Sequence, residues 1–391
     1  MTQAVIPLHA LALGIMTGTS ADGADAALVA VDRAGGRRRS RLVAQSARPY
    51  PQALRARVLA AQEGSLPARD LFALHAELGA HAALAARETL LLPEARGTRL
   101  EVVGYHGQTV FHDPHGLRSG APVTVQIGDP AAVARATGSP VVSNFRMADV
   151  LEGGEGAPLV PLFDWHQFGS DERDAALLNL GGIANLTRLR AGAPLDALVA
   201  FDCGPGNMLL DGVVGELAGA RQDAEGALAA AGRASEEVVR EFLADEFIGR
   251  RPPKSAGREE FGAEYLSRFL ARTEGFALPD RLRTAVAITA GAVARGVALT
   301  GEPLPEALYV SGGGARNATL MGAIEALLLP CRVSTTQSLG VPVQAKEAMA
   351  FAFLALETLA GRPGNVPSAT GARRAVVLGS ITPPPAEGGI P

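Results

Sequence analysis

The chain has 391 residues, 47% of them hydrophobic and 5% aromatic, and its formal net charge is −4. This length indicates at least two domains, and the small negative charge excludes the broad basic field that binds nucleic acid or an anionic membrane. The two cysteines, Cys203 and Cys331, have no cysteine or histidine neighbour at ligand spacing, which argues against a disulfide framework and a structural zinc.

The first apolar segment, residues 8–13, lacks the basic region and the small-residue cleavage site of a signal peptide. It therefore predicts a first core strand. We identify no apolar stretch in the sequence long enough to cross a bilayer. The expectation is a soluble, reduced, cytoplasmic protein with neither a membrane nor a nucleic-acid partner.

The first third of the chain alternates short apolar runs with segments of helical spacing. Strands are predicted at residues 12–16, 26–31, 101–105 and 123–128, and helices at 71–92 and from Pro130. A basic run lies beside the Gly35-Gly36 pair of a predicted hairpin turn. We interpret this run as a solvated loop; it consists of Arg37, Arg38, Arg39 and Arg41.

The pattern restarts beyond residue 150. Strands are predicted at residues 175–180, 184–190, 198–202 and 307–311, and helices at 284–298 and 346–360. The tail from Ile381 to Pro391 is rich in proline and glycine and is predicted to be disordered. Two successive modules of hairpin, strand and helix indicate a duplicated α/β domain that holds a nucleotide between its copies, although periodicity alone supports only two α/β domains.

Three turns at strand ends carry groups that could bind a nucleotide, and the first is rich in glycine, hydroxyl and carboxylate groups. Glycine admits close backbone approach, hydroxyl and N–H groups suit phosphate, and Asp22 could hold a metal cation. The alternative is a polar hairpin turn that binds nothing. The candidate residues are Gly18, Thr19, Ser20, Ala21, Asp22, Gly23, Ala24 and Asp25.

The second turn places Asp202 at a strand end before a rigid turn formed by Gly204, Pro205, Gly206 and Asn207. It could supply a fixed base beside free helix N–H groups, or Asp202 could simply cap the following helix. The third turn offers a side-chain-free floor for a purine, with Arg316 or Asn317 in reach of the base or ribose. Its glycines are Gly312, Gly313 and Gly314.

The chain has neither a P-loop nor a dinucleotide-binding glycine motif, so these three turns are the candidate nucleotide site. Their order along the chain resembles that of actin, hexokinase and the heat-shock ATPases. Taken with the motifs at residues 105–109, 178–185 and 253–259, they resemble the anhydro-N-acetylmuramic acid kinases of bacterial peptidoglycan recycling, over about residues 13–380.

The resemblance implies a two-domain actin-like (ribonuclease H-like) α/β fold with an inter-domain nucleotide cleft that closes on ATP, Mg²⁺ and the sugar, in a homodimer. Water would open the 1,6-anhydro ring, and O6 would take the γ-phosphoryl group of ATP to give N-acetylmuramic acid 6-phosphate. Asp202 is implied as the base and Glu347 as a second acidic residue, although Glu347 alone would be interpreted as a surface helix residue.

The sugar contacts implied are less specific. A strand-end histidine can equally be structural, and Arg146 can equally pair with Asp149 as bind the lactyl carboxylate. The candidate substrate-binding residues are His106, Gln108, Thr109, Arg146 and Asn185.

Two positions depart from the family pattern, because Glu155 stands where glutamine is common and Glu225 where aspartate is common. An extra charge at Glu155 would repel an anionic sugar unless it points away. The expected domains are residues 1–135 with 345–391, and residues 136–344. Two other functions stay open: a kinase of another amino sugar, and a regulatory ATPase, for which the chain offers no peptide-binding module.

Overall fold

The structure is a computed structural model, and it describes residues 9–18, 21–34 and 36–385. The strands follow in chain order: β1 (His9–Met16), β2 (Gly23–Ala34), β3 (Arg37–Pro49), β4 (Val102–Tyr105), β5 (Gln108–Asp113), β6 (Val123–Ile127), β7 (Val141–Ser143), β8 (Ala175–Leu180), β9 (Ile183–Leu189), β10 (Val199–Pro205), β11 (Ala307–Ser311), β12 (Arg332–Thr335) and β13 (Ser380–Thr382).

The helices range from one turn to 24 residues. They are α1 (Gln52–Gln62), α2 (Ala68–Leu91), α3 (Pro130–Thr137), α4 (Met147–Leu151), α5 (Pro161–Phe168), α6 (Asn207–Ala218), α7 (Ala227–Ala230), α8 (Glu236–Leu243), α9 (Glu246–Gly249), α10 (Arg258–Phe261), α11 (Ala263–Arg272), α12 (Leu278–Leu299), α13 (Ala318–Leu328), α14 (Lys346–Leu359) and α15 (Pro367–Thr370).

The chain divides into two compact units: unit 1, residues 1–167 with 345–391, and unit 2, residues 168–344. The return to the first unit begins at Ala345, as in the sequence-based division. The other boundary differs from the expected residue 135, because β7 pairs in parallel with β4 and so continues the sheet of unit 1.

Each unit is built on a sheet with the same strand order. In unit 1 the order is β13-β7-β4-β1-β2-β3, and in unit 2 it is β10-β9-β8-β11-β12. In both, an antiparallel three-stranded meander is followed by two parallel strands. The shared order 3-2-1-4-5 is that of the ribonuclease H-like, actin-like fold, and the expected fold class is confirmed. Strand β13 adds an extra antiparallel edge to unit 1.

Helix α14 packs very closely on the sheet of unit 1. Gly14 of β1 and Gly104 of β4 are register partners, and a Cβ atom at either would overlap backbone atoms of α14, at Ala348 and Phe351 respectively. Glycine at both positions is therefore what permits the helix backbone to approach the sheet. The helix is buried along almost its whole length because of this contact.

Helix α12 forms the equivalent contact in unit 2. A Cβ atom at Gly204 would lie 2.8 Å from the Cβ atom of Ala292, and one at Gly296 would overlap Cys203. At 22 residues this helix is long and apolar enough to cross a membrane, contrary to the expectation from sequence. Its residues Leu282 and Val293, however, are fully buried in the core of unit 2, which is the pattern of a core helix.

The basic run and the C-terminal tail also differ from expectation. Arg37 lies on β3 with its guanidinium 4.0 Å from the ring centroid of Trp165, and Arg38 forms an ion pair with buried Glu357. The strand is thus held against α5 instead of forming a solvated loop. Within the predicted disordered tail, Ile381 pairs with Val142 in the strand β13, so that part of the prediction is wrong.

We expect Gly104→Ala to lower the free energy of unfolding by about 1–3 kcal/mol or more, because the added methyl group must push α14 away from the sheet. Chemical denaturation measures the change. The matched control is Gly322→Ala at an exposed position of helix α13, where a Cβ atom meets nothing within 4 Å. That variant is expected to gain about 0.5–1 kcal/mol, because alanine favours the helix. Equal effects at the two positions would contradict the close-packing argument.

Candidate active site

Asp202 is a buried carboxylate of unit 2, with 8% of its surface exposed. Its Oδ1 accepts a hydrogen bond from Asn185 Nδ2 at 2.9 Å. Its Oδ2 accepts from the backbone N–H of Ala256 at 2.8 Å and from Ser255 Oγ at 3.2 Å. Burial raises the pKa of Asp202, and these three donors act in the opposite direction by stabilising the charged form.

Local backbone geometry points this carboxylate away from the following helix. The pairing of β10 with β9 shifts register between Asp202 and Gly204, and Asp202 lies opposite Asn185. Helix α6 begins at Asn207 after Gly206, and the Asp202 carboxylate is held by the segment that contains Ser255 instead of by the first turn of α6. The helix-cap interpretation of Asp202 is therefore wrong.

The glycine-rich turns of unit 2 meet at one edge of its sheet. Strands β8, β10 and β11 run in the same direction, so the turns that follow them lie together. Asn207 joins all three turns: its Nδ2 donates to Leu180 O at 3.0 Å, and its side chain would contact a Cβ atom at Gly314 or Gly313. Gly312 has φ +82° and would clash with Leu180 if it carried a Cβ atom.

Several N–H groups expected to bind phosphate already have partners. The N–H groups of Gly206 and Asn207 donate to the carbonyls of Gly182 and Gly181, both at 2.8 Å, and that of Met208 donates to Gly182 at 3.1 Å. Gly204 serves the packing of α12 on β10, as described above. Phosphate contact through the N–H groups of Gly206 and Asn207 would require these bonds to be exchanged.

Asn317 has a structural role in addition to any contact with a nucleotide. Its Oδ1 accepts from the N–H of Leu320 at 2.9 Å and caps α13. Glu225, which departs from the family pattern, lies close to the start of α13, because Thr319 of that helix donates to the carbonyl of the neighbouring Gly226 at 2.8 Å. Glu225 has φ +56°, whereas Asp223 of the same motif caps α7 through the N–H groups of residues 228 and 229.

In unit 1 the turn after β1 is tied to the turn after β4. Gln108 is fully buried; its Nε2 donates to Gly18 O at 3.0 Å, and its Oε1 accepts from Tyr50 OH at 3.3 Å. Ala21, with φ +54°, donates its N–H to the same carbonyl at 3.2 Å. Thr19 and Ser20 lie outside the described residues.

The rest of the predicted phosphate turn belongs to β2. Gly23 pairs with Pro49, and Ala24 is a core residue. Asp25 and Asp22 are exposed on the first unit, and Asp22 Oδ1 lies 3.9 Å from Arg55 Nε. The described residues contain no group of three or more histidine, cysteine, aspartate or glutamate side chains that could hold a metal ion. Mg²⁺ binding through Asp22 would thus depend on nucleotide oxygens and water for its other ligands.

The buried His106 and the partly buried Arg146 form a polar pair in unit 1. Arg146 Nε donates to His106 Nε2 at 3.0 Å, and His106 Nδ1 contacts Gly107 O at 2.7 Å. Burial, assisted by the Arg146 guanidinium, lowers the pKa of His106 to about 3. The imidazole is therefore neutral at physiological pH. Among the described residues, the buried Oγ1 of Thr109 in the same hairpin has no hydrogen-bond partner.

Asp149 organises the loop that follows Arg146. It is fully buried and accepts from Gly156 N at 2.8 Å, Asn365 Nδ2 at 2.6 Å and Thr370 Oγ1 at 2.7 Å. Asp149 therefore does not form the surface ion pair with Arg146 that the sequence offered as an alternative. The departure at Glu155 lies in this loop, and its Oε1 is 2.8 Å from His115 Nε2.

Glu347 lies in the first turn of α14 and is partly buried, so it is not the exposed surface residue that its sequence alone indicates. It precedes Phe351 by four residues and therefore shares a helix face with it. The Phe351 ring centroid is 4.7 Å from that of His106. This places Glu347 on the face of α14 that turns toward the His106 pair.

The sequence matches the family model described as anhydro-N-acetylmuramic acid kinase over residues 10–384. A protein of that name from Gloeobacter violaceus is 39% identical over 374 residues, which cover 95% of this chain and 98% of the relative. Another, from Salinibacter ruber, is 42% identical over 381 residues, covering 95% and 96%. The chain belongs to the anhydro-N-acetylmuramic acid kinase family.

Solved structures match at lower identity. Component A of the (R)-2-hydroxyglutaryl-CoA dehydratase of Acidaminococcus fermentans is 14% identical, with a TM-score of 0.44, over 90% of this chain and 99% of that one. A ROK family glucokinase from Streptomyces griseus, in complex with glucose and AMPPNP, is 15% identical with a TM-score of 0.39, over 89% and 99%.

The motif-based resemblance to the anhydro-N-acetylmuramic acid kinase family is thereby confirmed. Sequence reasoning nevertheless assigned no role to Lys254, Ser255 and Ala256, although their motif was part of the resemblance. The only signal was the conformational restriction of the adjacent Pro252-Pro253 pair and Gly257. Asn185, predicted as a sugar contact, donates a hydrogen bond to the Asp202 carboxylate.

In this family member we expect the free energy of unfolding to fall as the pH drops from about 6.5 towards 4. The pKa of His106 is lowered from 6.5 to about 3. In this pH window the imidazole therefore binds a proton in the unfolded chain but not in the folded chain. His106→Gln should reduce the slope by up to about 1.4 kcal/mol per pH unit. Urea unfolding at several pH values measures it.

His166 provides an internal comparison, because its burial and its neighbouring arginines also lower its pKa to about 3. His166→Gln should reduce the slope in the same direction. Unchanged slopes in both variants would show that these imidazoles are protonated in the folded state.

Proposed function

We propose that this chain is an ATP-dependent kinase that hydrolytically opens the 1,6-anhydro ring of anhydro-N-acetylmuramic acid and phosphorylates O6. The products are N-acetylmuramic acid 6-phosphate and ADP, in peptidoglycan recycling. Family membership over nearly the whole chain supports this activity. The observation that carries the mechanism is the buried Asp202 carboxylate, which three donors from two different segments hold in place.

Asp202 is proposed as the general base. It takes a proton from water as the water oxygen bonds to the anomeric carbon, the bond from that carbon to O6 breaks, and O6 attacks the γ-phosphorus of ATP. The bond to the β,γ-bridging oxygen then breaks and ADP leaves. Burial raises the pKa of Asp202 and so strengthens the ionised carboxylate as a base, and the hydrogen-bond donors retain it in the ionised form.

The sugar is proposed to bind through the polar groups of unit 1. The neutral His106 imidazole accepts from Arg146 Nε and contacts Gly107 O, so it holds in place the guanidinium that provides a positive charge for a lactyl carboxylate. Thr109 has a buried hydroxyl available for a sugar oxygen. The Glu155 carboxylate contacts His115. This contact supports the proposal that the Glu155 side chain points away from the anionic group of the sugar. Glu347 is proposed as the second acidic residue.

The nucleotide is proposed to use the turn of residues 18–25 in unit 1 and the glycine turns of unit 2. In unit 2, Gly313 is exposed, and the nearest atom to a Cβ there is Asn207 Nδ2 at 3.7 Å, which leaves a flat surface for a planar base. Mg²⁺, held by Asp22 together with phosphate oxygens, would neutralise the charge that develops during phosphoryl transfer. We also propose that the chain is a homodimer in the cytoplasm.

The first test is an ADP-release assay on anhydro-N-acetylmuramic acid, N-acetylmuramic acid and N-acetylglucosamine. Wild type should turn over the anhydro sugar, and Asp202→Asn should lower kcat by about 10²–10⁴-fold, because the base is lost. Asp196→Asn, on an exposed turn of the same unit, is the control and should match wild type.

Three results would contradict parts of this proposal. Turnover of N-acetylglucosamine in preference to the anhydro sugar would favour the alternative, a kinase of another amino sugar. Activity of Asp202→Asn close to that of wild type would remove the base assignment. Full ATP hydrolysis without any sugar would favour a regulatory ATPase.

The second test addresses the nucleotide surface. Gly313→Ala adds a methyl group where the protein has room, so stability should change little, while KM for ATP should rise about tenfold or more, which corresponds to about 1.4 kcal/mol. KM for the sugar should stay the same. A thermal melt gives the stability. A KM for ATP equal to that of wild type would show that the adenine ring does not bind on this surface.

A further inference from the structure

Lys254 is a buried cation with an unusual set of contacts. It is 3% exposed, and its Nζ donates to the carbonyls of Phe247 and Ile248 at 2.7 and 3.2 Å. The same nitrogen lies 4.7 Å from the ring centroid of Phe247 and 5.4 Å from that of Phe201. Backbone dipoles and aromatic faces thus supply the negative potential that a buried ammonium group needs.

The composition of the chain makes this position more informative. Only two of the 36 basic residues are lysines, Lys254 and Lys346, and both are buried. Arginine supplies the positive charge everywhere else. A compact ammonium with three donors fits between two carbonyls and two rings, whereas a planar guanidinium with a fixed fork does not. The site therefore requires the shape of lysine as well as its charge.

Lys254 begins the short segment that holds the proposed base. Its own carbonyl accepts the backbone N–H of Asp202 at 3.2 Å, and the next two residues donate to the Asp202 carboxylate. The Nζ contacts tie the start of this segment to α9. Without them, the segment of residues 254–256 has no side-chain anchor at its first residue, and two of the three donors to Asp202 lose their fixed position.

We propose that Lys254 is a positioning residue for Asp202: its buried ammonium fixes the segment of residues 254–256 so that Ser255 and Ala256 hold the carboxylate in one orientation. The inference rests on the proposed role of Asp202 as the base. It assigns Lys254 no contact with the sugar or with ATP.

The charges around Lys254 predict how the two groups affect each other. Burial lowers the pKa of Lys254 to about 8, Cys203 and Asp202 act against this, and Arg250 and Arg295 add to it. In turn, the positive charge of Lys254 lowers the pKa of Asp202. Removing either charge should therefore shift the titration of the other group.

The activity test uses Lys254→Met, which retains length and loses charge. We expect kcat to fall about tenfold or more with KM for ATP unchanged, and the acidic limb of the pH profile of kcat to move to higher pH. The upward shift follows because Asp202 loses both a nearby cation and its fixed donors. The control is Val238→Ala, a cavity variant in the core of unit 2 that should leave the limb in place.

A binding-independent test uses NMR on protein labelled at the lysine side chains, which gives one set of signals for each of the two lysines. Lys254→Met identifies its signal, and that signal should titrate near pH 8. Asp202→Asn should move this titration to lower pH, whereas Asp196→Asn should not.

The outcomes separate the two proposals. No turnover by wild type on the anhydro sugar would remove the proposed function and leave the NMR test of the coupling in force. An active wild type with Lys254→Met equal to it in kcat and in the acidic limb would overturn the positioning role. A Lys254 titration unaffected by Asp202→Asn would overturn it as well.

Discussion

In both units one helix lies against the sheet at a distance that only glycine permits. Gly14 and Gly104 are register partners under α14, and Gly204 and Gly296 bring β10 and α12 together. The glycines meet helix backbone atoms in unit 1 and small side chains in unit 2, and contacts this close leave a helix little freedom to tilt or slide, because interiors are packed at crystal-like density. These contacts therefore restrict where each helix can lie along its sheet.

This packing has consequences for the polar residues. Helix α14 carries Glu347 and Phe351 on one face, and Phe351 contacts His106, so the Gly14–Gly104 contact determines where Glu347 stands in unit 1. In unit 2, α12 contacts β10 at Cys203 and Gly204, the two residues that follow Asp202. The register shift of β10 lies at the same place, and the Asp202 carboxylate is held there by the segment of residues 254–256. Apolar packing thus positions each carboxylate, and hydrogen bonds then orient it.

Much of this could be predicted from sequence, and the misses have a common cause. Strands β8 and β11 have the predicted bounds, because each is a short, mostly apolar run that a glycine follows. The edge strand β3 was missed because its arginines resemble a solvated loop, and their partners Trp165 and Glu357 are more than 100 residues away. The domain boundary moved for the same reason, since the pairing of β7 with β4 is not encoded locally.

The site shows the same division between local and distant information. Local motifs identified Asp202, His106 and the glycine turns, because these residue types at strand ends are chemically unusual. What distinguishes a base from a buried carboxylate is the set of donors around it, and here they come from β9 and from a segment more than 50 residues later in the chain. A sequence displays the reactive group, whereas the groups that control its protonation appear only once the chain is folded. Lys254 illustrates this well, because its carbonyl and aromatic contacts come from α9 and β10 and become visible only in the packing of these two elements.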